Sequence, residues 1–283
     1  MTSKSPCSPR WACGAYVDKY KIFQILAAVL SLVPLHASAN PRPLPFTYIY
    51  ETLSKGEAEI EQYVDMTPVR VLAVSGERAW YAASQFQTEF EYGITDRLEL
   101  GLYVTFAPSN PAFALTPTIG NGNGFKQRLR YRLAELGQWP VDVALYGEVS
   151  ENEREIELEG KIIVQRHLGP LRMVANAWAE YEIEYNGERE WVLNPTAGAV
   201  LEVSPTVQPG FEYWMRAEYG DEETARNFNM GPHHFVGPTL LLEFGKLWWS
   251  TGAYVRLNDI HRSAAIGDNL GRVWIRSVIG IGL

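Results

Sequence analysis

The chain has 283 residues, of which 46% are hydrophobic and 20% are charged, a balance typical of a folded protein that argues against disorder. Its formal net charge of −8 argues against nucleic-acid binding, because contact with a phosphate backbone needs an excess of lysine and arginine. Aromatic residues make up 12%, including nine Trp and fifteen Tyr, and these two residue types favour the boundary between hydrocarbon and water.

The first 39 residues predict a secretory signal peptide. Four basic residues precede an apolar stretch of 14 residues at 22–35, and small residues at 37–39 form a cleavage site. A membrane anchor helix is the alternative, but it needs roughly 20 apolar residues. Cleavage would remove both cysteines, Cys7 and Cys13, and leave 21 basic against 32 acidic residues. We therefore expect an exported, acidic protein without disulfides.

The rest of the chain repeats segments of about ten residues in which apolar and polar side chains alternate. This period of two places all apolar residues on one face of a strand, as in a barrel whose outer surface meets lipid. The last segment shows it well, with isoleucines on one face and arginines and glycines on the other. The predicted strands are 57–66, 84–93, 97–106, 125–133, 141–149, 156–164, 171–183, 191–203, 207–219, 234–244, 247–257 and 272–283.

The connectors between these strands alternate in kind. Tight turns are predicted at 93–96, 136–140, 167–170, 204–206 and 245–246. The other connectors are 67–83, 107–124, 150–154, 185–190, 220–233 and 258–271, and four of these six are long. Short periplasmic turns that alternate with longer extracellular loops are typical of outer-membrane barrels. If both termini lie at the short-turn end, the strand number must be even.

Residues 46–53 offer a thirteenth strand, which the even count excludes. We assign them to an N-terminal lead-in at 40–55 that is either periplasmic or plug-like. The predicted fold is all-β, a transmembrane antiparallel up-and-down β-barrel of 12 strands spanning 56–283. A barrel of 14 strands with one missed strand is the main rival, and a soluble periplasmic β-protein is a further alternative.

The polar faces of the predicted strands carry charged residues, which we expect to line the lumen and to form ion pairs between neighbouring strands. Because the first and last strands of a barrel pair, the glutamates of the first strand are expected near the arginines of the last. The basic row at 126–132 is expected near Glu99, Asp142 and Glu148. Acid–base catalysis by the paired carboxylates is the less favoured interpretation. The predicted lumen-lining residues are Glu57, Glu59, Glu61, Glu99, Lys126, Arg128, Arg130, Arg132, Glu155, Glu157, Glu159, Glu180, Glu182, Glu184, Arg272 and Arg276.

We expect neither a cofactor nor a metal. The glycine-rich run 120–124 lies in a polar loop before a strand, where a nucleotide-binding loop would lie between a strand and a helix. His233 and His234 are adjacent, so on a strand they point to opposite faces and cannot bind one ion together.

His261 and Ser263 are the one candidate catalytic pair. Two positions apart on a strand they would share a face, where the imidazole could activate the hydroxyl. The pair resembles the motif of outer-membrane phospholipases and lipid A deacylases, whose motif continues with Asn and often Gly. Here Ala264 and Ala265 follow instead. We therefore favour a solvated loop and expect no enzyme activity, with lipid hydrolysis kept as an alternative.

The segment 92–102, Tyr-Gly-Ile-Thr-Asp-Arg-Leu-Glu-Leu-Gly-Leu, resembles a hairpin of uncharacterised Gram-negative outer-membrane β-barrel proteins, including the phenol-degradation (MetA-type) transporter-like group. The resemblance implies a barrel and says little about a substrate. The terminal strand is similar to the signal read by the barrel-assembly machinery, which would then be a partner. It ends in Leu283 where Phe is usual.

Together these patterns predict a passive channel or uptake protein in the cell outer membrane for small molecules, hydrophobic or aromatic ones among them. Its other partners would be outer-membrane lipid and lipopolysaccharide. The apolar, proline-rich connector 107–124 is the expected constriction, unless it packs over the rim. A closed structural barrel without transport is an alternative, because side chains could largely fill a twelve-stranded interior.

Overall fold

A computed structural model of the protein describes residues 39–115, 122–220, 232–261 and 264–283. Within these ranges the chain forms thirteen β-strands. They are β1 (Ala58–Leu72), β2 (Arg78–Gly93), β3 (Leu98–Phe106), β4 (Gly124–Arg132), β5 (Asp142–Asn152), β6 (Glu155–Leu168), β7 (Leu171–Glu184), β8 (Arg189–Leu193), β9 (Thr196–Leu201), β10 (Val207–Gly220), β11 (His233–Phe244), β12 (Leu247–Arg256) and β13 (Val273–Gly282).

These strands form one closed antiparallel barrel. Consecutive strands pair with each other, except β8 with β9, and β1 pairs with β13, so that Asp65 lies opposite Arg276. β8 and β9 are two halves of one barrel strand, because both pair with β7 on one side and with β10 on the other. Pro195 separates the halves, since it has no N–H to donate to the ladder. The prediction of 12 barrel strands is thereby confirmed, and the count of 14 is wrong.

The two faces of the sheet differ as lipid exposure requires. Outward-facing side chains are apolar and exposed, as at Ile275 (43%), Ile279 (49%) and Ile281 (45%). Inward-facing side chains include buried charges, among them Glu61 and Asp65 of β1. Backbone groups in hydrocarbon must be paired, and a closed ring of strands achieves this without a free edge. A soluble β-protein would show the opposite arrangement, with charges outside and apolar residues in the centre.

The prediction of a long connector at 67–83 is wrong. β1 and β2 extend to Leu72 and from Arg78, and only residues 73–77 form the turn. The outward-apolar pattern fails here because Val69 and Val71 point inward and pack in a buried cluster with Ala83. The connectors β5–β6 and β7–β8 are also tight, which leaves long connectors between β3 and β4, β10 and β11, and β12 and β13. Among the described residues no helix is long and apolar enough to cross a membrane.

Candidate functional site

Residues 40–54, termed here the lumen segment, lie inside the barrel. Each residue from 42 to 50 is buried. Inward-facing side chains of four strands accept hydrogen bonds from its backbone N–H groups. Since these strands lie on different sides of the barrel, a segment that contacts all of them must occupy the lumen. The acceptors Glu99, Gln165, Asn176 and Glu212 lie 2.6–3.1 Å from the nitrogens of Leu53, Tyr50, Tyr48, Thr47 and Phe46.

The lumen segment enters and leaves at the short-turn end. Asn40 N donates to Glu59 at 2.7 Å, close to the start of β1. Lys55 N donates to Asp96 at 3.0 Å, in the turn between β2 and β3. Between these ends the segment reaches Phe46, whose ring stacks on the Trp214 ring at 4.6 Å between centroids. The segment is therefore a loop that extends into the lumen and returns.

Arg42 is the charged residue that fixes the first half of this loop. Its Nη2 lies 2.6 Å from Glu61 Oε2, and both side chains are almost fully buried. Its guanidinium carbon also lies 4.2 Å from the centroid of the Tyr48 ring and 4.9 Å from that of Tyr63. A buried cation with a carboxylate partner and two aromatic faces is well compensated.

Strands β2, β3 and β4 bring together a network of three carboxylates and two guanidinium groups, termed here the Arg128 network. The Arg128 guanidinium contacts Glu89 at 2.7 Å, Glu99 at 2.6 Å and also Glu91. Arg130 adds a second contact to Glu99 at 2.7 Å. All of these side chains are at most 3% exposed, so the planar guanidinium replaces water for three carboxylates at once. The expected pairing of the basic row with Glu99 is present, while Glu89 and Glu91 were missed.

The contact between the closing strands differs from the expectation. Arg276 pairs with Asp65, with two N–O distances of 2.6 Å, and not with the glutamates of β1. The register explains this, because Glu59 and Glu61 lie opposite glycines of β13. Asn40 N and Arg42 of the lumen segment donate instead to Glu59 and Glu61, which also accept from the barrel side chains Trp248 and Tyr63. Arg272, one residue before β13, is exposed.

The opposite side of the lumen carries a surface of carboxylates, termed here the acidic wall. Its residues face each other directly in the strand registers, as in the pairs Glu155–Glu184 and Glu157–Glu182. Like charges in directly opposite positions destabilise a sheet. The acidic wall consists of Glu155, Glu157 and Glu159 of β6, Glu180, Glu182 and Glu184 of β7, and Glu190 of β8.

Cations compensate only part of this wall. Lys161 contacts Glu159, and its Nζ lies 3.7 Å from the centroid of the Trp178 ring. Arg216 contacts Glu180 at 3.4 Å and Glu182 at 3.3 Å. In the part of the chain that the structure describes, no lysine or arginine lies within 4 Å of the remaining wall residues. These are Glu155, Glu157, Glu184 and Glu190.

A cavity of about 280 Å³ separates the acidic wall from the rest of the lumen. Phe46, Tyr48 and Trp214 line its lower part, where the lumen segment lies between the cavity and the short-turn end. Arg154 and Asn269, in connectors at the opposite end, line its upper part. The lumen therefore consists of a partly acidic vestibule above a segment that fills the space below.

The structure buries ten of the sixteen predicted lumen residues and leaves five half-buried and one, Arg272, exposed. The alternation of apolar and polar residues did not identify the polar residues that hold the lumen segment, although their side chains also point into the lumen. The buried ten are Glu59, Glu61, Glu99, Arg128, Arg130, Glu155, Glu157, Glu159, Glu180 and Glu182, and the half-buried five are Glu57, Lys126, Arg132, Glu184 and Arg276.

The histidine candidates do not assemble into a site in the described residues. His261 is exposed in the connector between β12 and β13, and Ser263 lies outside the described residues. His233 is buried beside Arg256, at 2.8 Å between Nδ1 and Nη2, whereas His234 Nδ1 contacts the Tyr213 hydroxyl at 2.7 Å. The adjacent histidines therefore face different surroundings.

The described part of connector 107–124 lies along the rim. Ala114 N donates to Leu72 O at 2.7 Å, and Val74 N donates to Ala112 O at 3.1 Å, which ties the connector to the β1–β2 turn. Phe113 packs against Tyr81, with 5.4 Å between ring centroids. The lumen segment, and not the described part of this connector, narrows the passage.

No protein-family model matches the chain, and no curated protein matches it by sequence. Solved structures do match. An outer-membrane channel from Pseudomonas putida F1 is 15% identical, with 83% of this chain and 98% of that chain covered and a TM-score of 0.57. The NanC porin is 10% identical, with 78% of this chain and 100% of that chain covered and a TM-score of 0.53. The chain thus has the fold of these outer-membrane channels.

Proposed function

We propose that this protein is a passive outer-membrane channel for small molecules, closed in the present conformation by its own lumen segment. The observation that carries the proposal is a polar lumen with a cavity, blocked by a separate stretch of chain and not by interlocking side chains of the barrel. A barrel that served only as a rigid body would need neither the cavity nor the charged surface around it.

The way the segment is held supports a role as a gate. Five of its backbone N–H groups, those of Phe46, Thr47, Tyr48, Tyr50 and Leu53, donate to side chains of the barrel and not to a strand ladder. Withdrawal of the segment would leave every barrel strand paired. The bonds that it breaks are replaced by bonds to water, so the net free energy per bond is modest.

The hydrophobic or aromatic solutes expected from the sequence stay part of this proposal. Support comes from the aromatic cluster at the cavity floor, where Trp214 stacks on Phe235 at 3.9 Å and meets Trp274 at 5.2 Å between ring centroids. Membership of the phenol-degradation (MetA-type) group is likewise a proposal, which rests on the hairpin at 92–102. The apolar exterior supports an outer-membrane location, and contact with outer-membrane lipid and lipopolysaccharide is part of this proposal.

A closed structural barrel is the second candidate, and the filled lower lumen favours it. Lipid hydrolysis by His261 and Ser263 has no support from the described geometry, because Ser263 lies outside it. The two remaining candidates differ in what happens when the lumen segment is removed.

The test is planar-bilayer conductance of the refolded chain with residues 41–52 deleted. We expect sustained current from this variant and a much smaller or intermittent current from the unaltered protein, with folding checked by heat-modifiable gel mobility. The matched control is deletion of residues 110–113 from the rim connector, which we expect to leave conductance unchanged. A folded barrel that passes no current after loss of the lumen segment would establish the closed structural barrel.

A further inference from the structure

Glu59 is a buried carboxylate that accepts its hydrogen bonds from neutral groups. Its side chain points into the lumen from the start of β1, and the residue is fully buried. Trp248 Nε1 donates to Oε1, and Asn40 N donates to Oε2 at 2.7 Å. Within the ranges that the structure describes, no nitrogen of a lysine, arginine or histidine side chain lies within 4 Å of either oxygen. The negative charge of Glu59 is therefore buried without a cation, which is costly.

The next inward-facing carboxylate of β1, that of Glu61, does have a cation, because Arg42 lies 2.6 Å away. The strand register gives Glu59 no such partner. It lies opposite Gly282 of β13 on one side and opposite Glu91, a second carboxylate, of β2 on the other. The first nitrogen of the lumen segment is therefore the position from which a positive charge would compensate this carboxylate.

The nitrogen that contacts Glu59 comes directly after the predicted cleavage site. Ala37, Ser38 and Ala39 have the small-residue pattern that precedes a signal-peptide cut, which places hydrolysis between Ala39 and Asn40. With this bond intact, Asn40 N donates to Glu59 as a neutral amide. Hydrolysis breaks the C–N bond and consumes one water, whose oxygen goes to the Ala39 carbonyl carbon and whose two hydrogens go to the nitrogen. The products are a carboxylate and an α-ammonium, since an α-amino group is mostly protonated at neutral pH.

We infer that export proteolysis cuts the Ala39–Asn40 bond and that the new α-ammonium of Asn40 forms a buried ion pair with Glu59. The cut precedes docking of the lumen segment, because both residues of this bond are half-buried in the folded barrel. The Asn40 side chain helps to hold the nitrogen in place, since its Nδ2 donates to Glu51 O at 3.2 Å. Cleavage thus converts a neutral contact at the entry of the lumen segment into a charge-assisted one. This inference goes beyond the proposed function and does not depend on whether the barrel conducts.

The position of the cut is tested by expressing the full chain in a Gram-negative host and measuring the intact mass of the exported protein. We expect the loss of residues 1–39 and an N-terminal sequence of Asn-Pro-Arg-Pro. Any other N-terminus, an uncut chain included, would overturn the inference, because the α-ammonium would then lie away from Glu59.

The ion pair is tested on two refolded chains, one that begins at Asn40 and one that begins at Ser38, each released from a fusion partner without extra residues. In the second chain the charge lies two residues further along, and Asn40 N is again an amide. Glu59→Gln keeps side-chain size and removes the negative charge. We expect this substitution to lower the folding equilibrium constant, measured by denaturant titration, at least about tenfold more in the chain that begins at Asn40.

Glu61→Gln is the matched control, because its partner Arg42 is present in both chains. It should lower the folding equilibrium constant of both chains by the same factor. An equal effect of Glu59→Gln on the two chains would overturn the ion pair. If Glu59→Gln prevents refolding of both chains, the two unsubstituted chains are compared directly, and equal stability overturns the ion pair. None of these measurements involves current, so failure of this inference leaves the channel proposal intact.

Discussion

Two sides of the same lumen solve the problem of buried charge in opposite ways. On β2–β4 three carboxylates converge on the Arg128 guanidinium, and Glu99 also meets Arg130. On β6–β8 carboxylates face carboxylates, and the cavity lies next to them. The Arg128 network faces the lumen segment, whereas the acidic wall faces open space. Compensated charge thus holds the protein's own chain in place, and uncompensated charge is left where a solute can enter.

The substitution with the largest expected effect replaces Arg128, the cation at the centre of the Arg128 network. Arg128→Met keeps length but leaves Glu89, Glu91 and Glu99 without their shared partner. We expect a loss of about 3–5 kcal/mol in the free energy of unfolding, measured by denaturant titration of the refolded barrel. Arg97→Gln, which removes an exposed arginine paired with an exposed Glu135, is the control and should leave stability unchanged. An equal effect of the two variants would contradict a central role for Arg128.

A smaller change tests whether the lumen segment is docked as tightly as its contacts indicate. A Cβ atom at Gly198 would lie 2.7 Å from Leu44 Cδ1, so Gly198→Ala must push Leu44 away. We expect the docking of the segment to weaken by about 1–3 kcal/mol, seen as a larger open fraction in single-channel records.

Gly160→Ala is the control for that substitution, because no atom lies within 4 Å of the added Cβ. If it opens the channel as often as Gly198→Ala does, added bulk in the barrel and not contact with the segment would be the cause.

The smallest expected effect has the opposite sign and lies on the acidic wall. Glu190→Gln removes one of two carboxylates that face each other, the other being Glu182. We expect a gain of about 0.2–1 kcal/mol in the free energy of unfolding at low salt, which shrinks as salt screens the repulsion. Glu188→Gln, in the adjacent exposed turn, should give no gain. A loss of stability in Glu190→Gln would mean that the wall is compensated after all.

The sequence was sufficient to predict most of the barrel strands because one physical rule acts on all of them. Lipid outside and water inside impose a period of two, and Ile275, Ile279 and Ile281 follow it, whereas Ser277 on the same face is polar. The rule fails where lipid ends. At the rim beyond Thr67 the inward residues Val69 and Val71 are apolar, so the pattern inverts and the long connector predicted there is in fact strand.

The contents of the lumen were harder to predict because they depend on register and on contacts between distant residues. Glu212 meets the backbone of Thr47 at a separation of 165 residues, and no local pattern encodes that contact. A shift of strand register by a few positions would have paired Arg276 with a glutamate, as expected, and not with Asp65. The inward-facing positions carry more glutamate, asparagine and glutamine than the inward-facing cations can pair with. This excess of acceptors is the signal that could have indicated a segment inside the lumen that donates hydrogen bonds.

The entry and exit of the lumen segment at the same end of the barrel determine its topology. A stretch that ran from one end to the other would be threaded through a closed ring, and its removal would require the ring to open or the chain to be pulled through. Asn40 and Lys55 both lie at the short-turn end, so the loop is not threaded. It can slide in or out after the ring has closed, and insertion and barrel closure are free to occur in either order.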